Sequence, residues 1–331
     1  MFASNKIQNR EKEKNNRVYD MLLSALGKDI QTYMHDDDII EIMLNPDGKL
    51  WVDRLSQSKQ YTGKKIEKHD AERIIRIVSS HVDTVCNAAH PLISAELPYS
   101  GARFQGMLPP VVENPTFTIR KKATRIFSLK DYVQQGVMPD KVVYLIQQAV
   151  HDRKNILIAG GTGSGKTTLA NAILMDMAKY DDRLVIIEDT LELQCAAKDY
   201  VSLRTSDQVS MESLLKATMR LRPDRIIVGE VRGGEALTLL KAWNTGHPGG
   251  LATVHANSAI QGLVRIEQLI QEAIMGIPRQ LIADAIHMVI YIQRNGIQRM
   301  VQEVIQVDGY DRDYVAVALF NSALLEDKEK S

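Results

Sequence analysis

The sequence has little of what several protein classes require. Only two of its 331 residues are cysteines, Cys86 and Cys195, and they lie far apart outside any C-x-x-C or Cys/His cluster. This pattern indicates neither a disulfide framework nor a zinc module. No stretch approaches the roughly 18 apolar residues of a membrane-spanning helix, and residues 1–17 lack the apolar run of a signal peptide. We therefore expect a cytoplasmic chain whose membrane association is peripheral and depends on a partner.

The chain also lacks an excess of either charge, because 41 Lys and Arg balance 41 Asp and Glu. A protein that coats nucleic acid needs a basic surplus to hold the polyphosphate backbone. Single-strand translocases combine basic side chains with stacking aromatic residues, and no stripe of that kind is visible. We therefore expect no stable direct nucleic-acid binding, and a DNA helicase or translocase is the weakest of the enzymatic hypotheses.

The length predicts two domains at roughly 150 residues each. We expect residues 1–17 to form a polar tail and residues 18–122 to form an α+β domain, in which helices alternate with short strands. The charged stretch 123–140 is the predicted linker. In residues 141–331, strands alternate with helices in the manner of a parallel α/β sheet.

Local patterns in the first domain predict its elements. A helix from Val18 is expected to end at Gly27, and the turn-rich residues 45–48 are expected to join two strands as a hairpin. Short strands are predicted at 97–103, 105–111 and 115–120.

Residues 160–167, G-G-T-G-S-G-K-T, fit the pattern G-x-x-x-x-G-K-[ST] in full, between an apolar strand and a helix. The glycines let backbone N–H groups turn inward around an anion, and the helix N-terminus adds partial positive charge. We expect Lys166 to reach the β- and γ-phosphates and Thr167 to hold Mg²⁺. The predicted nucleotide-binding residues are Gly160, Gly161, Thr162, Gly163, Ser164, Gly165, Lys166, Thr167 and Thr168.

Hydrolysis also needs carboxylates at the C-terminal ends of neighbouring parallel strands. Glu188 and Asp189 end one predicted strand, and Glu230 ends another. In the usual second nucleotide motif an Asp precedes the water-polarising Glu, but here Gly229 occupies the Asp position. We therefore expect Glu230 to activate water while Glu188 and Asp189 supply negative charge toward the metal. Glu188 as the base is a rival interpretation.

His255 lies in the box T-G-H-P-G-G-L-A-T-V-H-A-N, residues 245–257, at the tip of a fourth predicted strand. A histidine there can donate a hydrogen bond toward a γ-phosphate and so report its presence. A purely structural histidine is the alternative.

Four segments in order resemble the traffic ATPases of type II secretion, type IV secretion and type IV pili: the phosphate loop (residues 160–167), I-I-E-D-T-L-E-L (186–193), L-R-P-D-R-I-I-V-G-E-V-R (221–232) and the histidine box (245–257). Residues 41–52 and the stretch from Gly101 to Arg120 are similar to the conjugal-transfer branch of that family. The resemblance covers roughly residues 18–310.

The resemblance implies a RecA-like P-loop ATPase domain with a mostly parallel sheet, preceded by a smaller α+β, sensor-like domain. It also implies a homohexameric ring that binds ATP and Mg²⁺ between the two domains and meets secretion-system subunits at the inner membrane. On that pattern Arg103 and Arg120 reach from the N-terminal domain toward the phosphates and stabilise transition-state charge.

Three functions remain open on the sequence. The leading hypothesis is a cytoplasmic ATPase that couples hydrolysis to rigid-body domain motion and energises a type IV secretion system in conjugative DNA transfer. The second is a type IV pilus or type II secretion motor, although the type II branch often carries a tetracysteine zinc insert that two cysteines cannot supply. The third is a nucleotide-switched scaffold with little turnover.

Overall fold

The computed structural model describes residues 2–57, 59–98, 100–122 and 126–323, with the backbone alone for residues 2–18. The chain forms two compact units, residues 1–125 and 126–331, and each has hydrophobic core clusters of its own. Within the described part of the chain, the search for a helix both long and apolar enough to cross a bilayer finds no candidate.

The first unit is an antiparallel sheet packed against helices, with strand order β3-β2-β1-β6-β5-β4. Its core joins apolar side chains from both helices, such as Ile30 and Ile74, to the inward side chains of the strands. The elements in chain order are α1 (Phe2–His35), β1 (Ile39–Leu44), β2 (Lys49–Arg54), β3 (Gln60–Lys65), α2 (Lys68–His81), β4 (Leu92–Glu96), β5 (Arg103–Met107) and β6 (Thr116–Arg120).

The predicted hairpin is present, since β1 pairs antiparallel with β2 and Gly48 closes the turn at a φ of 77°. The helix prediction is only partly right. Gly27 leaves helical geometry as expected, with a φ of 69°, but the chain resumes the helix to His35. The backbone of residues 2–17 is helical as well, so the segment expected as a polar tail belongs to α1.

The strand predicted at 97–103 is wrong. The described residues 97–98 and 100–102 lie between β4 and β5, where Gly101 N–H donates to Leu97 O at 3.1 Å. The first strand of this group instead lies earlier, at Leu92–Glu96. Burial alternates only over the first three residues of this strand, and Ala95 and Glu96 are both half-buried, so the period-two pattern is too short to mark a strand in the sequence.

The second unit is built on a mixed sheet with strand order β14-β13-β12-β7-β11-β10-β8-β9. Strands β12 through β9 in that order pair in parallel, whereas β13 and β14 add antiparallel pairs at one edge. The elements are α3 (Leu129–Gln134), α4 (Asp140–His151), β7 (Ile156–Ala159), α5 (Lys166–Met177), β8 (Leu184–Glu188), β9 (Tyr200–Arg204), α6 (Met211–Thr218), β10 (Arg225–Val228), α7 (Glu235–Asn244), β11 (Leu251–Val254), α8 (Ala259–Gln271), α9 (Arg279–Ala285), β12 (Met288–Asn295), β13 (Gln298–Asp311) and β14 (Asp313–Asn321).

This α/β architecture agrees with the predicted alternation of strands and helices. Strands β7, β10 and β11 are buried at every position, as is expected for parallel strands covered on both faces. Core clusters occupy both faces of the sheet. The sequence did not reveal β9, whose side chains alternate between half-buried and exposed, or the short helix α9.

The boundary between the units differs from the predicted linker at 123–140. The chain divides between residues 125 and 126, and Leu129, Tyr132 and Met138 are buried in a core cluster of the second unit. Ser128 and Asp131 form a reciprocal capping box that starts α3, which explains how a polar stretch with few apolar residues still folds onto the domain.

A buried arginine at the start of β10 ties the segments that precede β8 and β11 to the carboxyl end of α4. Arg225 is 1% exposed, and its Nε donates to Asp182 Oδ2 at 2.6 Å. Its terminal nitrogens donate to Val150 O at 3.1 Å and Gly249 O at 3.4 Å. A buried cation is tolerated only when its donors are satisfied in this way.

Replacement of Arg225 by Ala should lower the free energy of unfolding of the second unit by about 3 kcal/mol, because two backbone carbonyls lose a donor and Asp182 loses one of its two arginine partners. Urea denaturation in a Trp51→Phe background would follow the fluorescence of Trp243, which is buried in the second unit. Arg312→Ala, at an exposed turn, is the matched control and should change stability by less than about 0.5 kcal/mol. Equal effects of the two variants would contradict a structural role for Arg225.

Candidate active site

The phosphate loop joins β7 to α5, and its glycines are required by its geometry. Gly163 and Gly165 adopt φ values of 70° and 100°, a left-handed conformation that side chains disfavour. A Cβ at Gly160 would lie 2.5 Å from the Ile292 carbonyl oxygen and from Ser164 Oγ. The loop therefore passes close to β12, and α5 begins at Lys166 directly after it.

Lys166 is held inside this loop. Its Nζ donates to Gly160 O at 2.9 Å and Gly161 O at 3.0 Å, and it lies 3.2 Å from His255 Nδ1. The residue is 8% exposed. The ammonium is thus positioned at the N-terminus of α5, where the partial positive charge of the helix adds to its own.

The strand order explains why distant motifs meet. β11 lies between β7 and β10, and β8 follows β10, so the carboxyl ends of these parallel strands form one edge. There His255 Nε2 lies 2.7 Å from Glu230 Oε1. His255 therefore bridges the loop lysine and the carboxylate that the sequence predicted as the base.

Arg232 was missed in the sequence, although it closes the segment that contains Glu230. Its Nε and Nη2 lie 2.8 Å and 2.5 Å from Glu230 Oε2, and its Nη1 lies 3.3 Å from Asp189 Oδ2. Burial acts to lower the pKa of Arg232, but the hydrogen bond to Glu230 and the charges of Glu230, Asp189 and Glu192 raise it overall. The sequence feature that could have identified Arg232 is its position two residues after Glu230.

Glu188 has a different environment from Glu230. It is 3% exposed, and its Oε1 accepts hydrogen bonds from the backbone of Glu192 at 3.0 Å and Leu193 at 2.9 Å. A Cβ at Gly229 would lie 2.9 Å from Glu188 Cγ. Gly229 thus leaves room for the Glu188 side chain, which brings a carboxylate beside the position where an Asp would usually stand.

The remaining predicted ligands are Asp189 and two threonines of α5. Asp189 Oδ1 accepts from Thr205 Oγ1 at 2.9 Å, and Thr167 and Thr168 follow Lys166 in the first turn of α5. Ser164 Oγ is buried and has no hydrogen-bond partner among the described residues. Nor do three His, Cys, Asp or Glu side chains converge as a preformed metal site in that part of the chain.

The two arginines predicted from the resemblance lie in the first unit. Arg103 on β5 is the direct cross-strand partner of Arg120 on β6. Glu96 on β4 and Glu41 on β1 flank them in the same row of the sheet. Directly paired residues share a face of the sheet, so the structure places both arginines together with a carboxylate on either side.

Comparison with known proteins shows the family. Residues 92–312 match the family described as type II/IV secretion system protein. The chain belongs to this family. The conjugal transfer protein TrbB of Rhizobium radiobacter is 49% identical over 300 residues, which cover 90% of this chain and 93% of that protein. This similarity confirms the resemblance to the conjugal-transfer branch.

More distant relatives agree with this assignment. The type IV secretion system protein VirB11 of Bartonella henselae is 32% identical over 285 residues, covering 74% of this chain and 80% of that protein. Among solved structures, the pilus retraction motor PilT with bound ADP is similar at a TM-score of 0.62 and 19% identity, covering 91% of this chain and 85% of that one. At this identity the structural similarity establishes the fold alone, which is the α/β fold of the secretion ATPases.

Gly160→Ala should destabilise the second unit by about 2 kcal/mol, because the new methyl group meets a backbone carbonyl that cannot rotate away. Gly161→Ala is the matched control, since a Cβ there meets nothing within 4 Å. Urea denaturation monitored by Trp243 fluorescence would measure both variants. Equal stability of the two would show that the loop does not pack against β12.

Proposed function

We propose that this protein is a Mg²⁺-dependent ATPase that energises a type IV secretion system during conjugative DNA transfer. The observation that carries the proposal is the continuous set of contacts from Lys166 through His255 to Glu230. It links a phosphate-binding loop to a carboxylate at the end of a neighbouring strand, which is the arrangement that hydrolysis of a bound nucleotide requires.

The residues of the loop fit a nucleotide and its metal ion. Glycine-dependent turns, the N-terminus of α5 and the ammonium of Lys166 together favour a polyphosphate. Thr167 and Asp189 are the proposed Mg²⁺ ligands, since Mg²⁺ is commonly held by one or two protein oxygens together with phosphate oxygens. When bound, Mg²⁺ supplies charge neutralisation and Lewis acidity.

Glu230 is the proposed base that orients and deprotonates the attacking water. Arg232 fixes one of its oxygens and His255 contacts the other, so the carboxylate has a defined orientation. Glu188 instead accepts hydrogen bonds from two backbone N–H groups through one oxygen. This favours a role in which Glu188 stabilises the local structure and directs negative charge toward the metal. In this proposal His255, which contacts both side chains, transmits a change at Lys166 to Glu230.

The conjugal-transfer assignment rests on sequence similarity along most of the chain. A homohexameric ring, peripheral attachment to the cytoplasmic side of the inner membrane through secretion-system subunits, and the reach of Arg103 and Arg120 toward the phosphates are parts of the same proposal. A type IV pilus or type II secretion motor, and a nucleotide-switched scaffold, are the alternatives that experiment must separate.

Glu230→Gln should lower kcat for ATP hydrolysis by about 100-fold or more while nucleotide binding is retained, because the amide cannot accept the proton of water. Lys166→Ala should instead weaken nucleotide binding. Phosphate release and equilibrium binding of ADP would measure the two effects, with Glu212→Gln on the exposed face of α6 as the control. If Glu188→Gln abolished turnover and Glu230→Gln did not, the base would be Glu188.

A conjugation assay separates the motor from the scaffold. A motor requires turnover, so transfer should fall at least about 100-fold with Glu230→Gln, in proportion to the lost hydrolysis. A scaffold requires binding alone, so it predicts loss of transfer with Lys166→Ala but normal transfer with Glu230→Gln. Normal DNA transfer with both variants, alongside a defect in pili or protein export, would assign the protein to another branch.

A further inference from the structure

The hairpin formed by β12 and β13 extends beyond the end of the central strand. In the parallel pairing of β12 with β7, Tyr291 is level with Ala159, the last residue of β7. Residues 292–295 therefore continue past the strand end, beside the phosphate loop. The close approach of the Ile292 carbonyl to Gly160 fixes this position.

Two arginines project from this overhanging part of the hairpin. Arg294 and Arg299 are direct partners in the antiparallel register, so their side chains leave the same face. A Cβ at Gly163 would lie 3.7 Å from Arg294 Nη1, and one at Gly165 would lie 3.1 Å from Arg299 Cδ. Both arginines thus lie directly against the phosphate loop.

The Arg294 side chain is held within the hairpin, where its Nε donates to Gly296 O at 2.9 Å. Here the pair lies beside a glycine loop that itself favours an anion. The planar guanidinium is well suited to paired hydrogen bonds with phosphate oxygens. The geometry therefore indicates a ligand phosphate on this side of the loop.

The strand order identifies which phosphate this is. β7 lies between β11 and β12, so His255 and Glu230 lie on one side of the loop and the arginine pair lies on the other. The terminal phosphate must face Glu230 for a water molecule to attack it. The opposite end of the nucleotide, with its α-phosphate and nucleoside, then lies on the β12 side.

We infer that Arg294 and Arg299 bind the nucleoside end of the nucleotide through its α-phosphate. The inference rests on the proposed function, because it requires a nucleotide in the phosphate loop. On this inference the β12–β13 hairpin contributes to nucleotide affinity, whereas the carboxylates on the β11 side of the loop carry out the chemical step. Loss of either arginine should then raise KM with little change in kcat.

The test compares ADP with inorganic phosphate, which has neither the α-phosphate nor the nucleoside, in calorimetric titrations of the full chain. Arg299→Ala and Arg294→Ala should each raise the Kd for ADP about tenfold or more, as expected for loss of a charge-assisted hydrogen bond. The Kd for inorganic phosphate should change less than about twofold, because a single phosphate held by the loop does not reach the α-position. Arg299→Lys should give a smaller loss for ADP, since it retains the charge but not the paired donors.

Arg312→Ala, at the opposite end of β13, removes the same charge and should leave both Kd values unchanged. An unaltered thermal unfolding midpoint would show that each variant folds, and Arg299→Lys carries the measurement if Arg299→Ala does not. An equal loss for ADP and inorganic phosphate, or no loss for ADP, would overturn the inference while ATP hydrolysis by the wild type still stood. A wild-type protein that bound neither ligand would overturn the proposed function as well.

Discussion

The second unit depends on β7 being an interior parallel strand. Its four residues are buried, and it pairs on one side with β11 and on the other with β12. Because parallel strands end at the same edge, this pairing decides what can surround the phosphate loop. Carboxylates and His255 come from the β11 side, and the hairpin arginines come from the β12 side.

The charged side chains at the carboxyl ends of these parallel strands stabilise one another through direct contacts. Lys166 contacts loop carbonyls and His255, His255 contacts Glu230, and Arg232 links Glu230 to Asp189. Buried or half-buried charges require such partners, since an unpaired ion in a low-dielectric site is costly. The same contacts fix the orientation of each side chain, and preorganisation of this kind suits the proposed hydrolysis.

The first unit also contains a cluster of charged side chains in neighbouring strands. Arg103 and Arg120 are neighbours in one row of the sheet, with Glu41 and Glu96 at either side. Opposite charges in neighbouring strands stabilise the sheet, so the flanking carboxylates offset the repulsion between the two arginines. In the β12–β13 hairpin, Arg294 and Arg299 form a direct cross-strand pair beside the glycine loop.

The sequence by itself determined the local features of this protein. Glycine spacing specified the phosphate loop, and apolar runs such as Ile226–Val228 specified buried strands, since both signals depend on a few adjacent residues. The tertiary structure decided the rest. Arg232, Arg294 and Arg299 gain their significance from strand order and register, which bring together residues far apart in the chain. The space at Gly229 is filled by Glu188, which lies on another strand, so only the folded sheet explains why no side chain stands there.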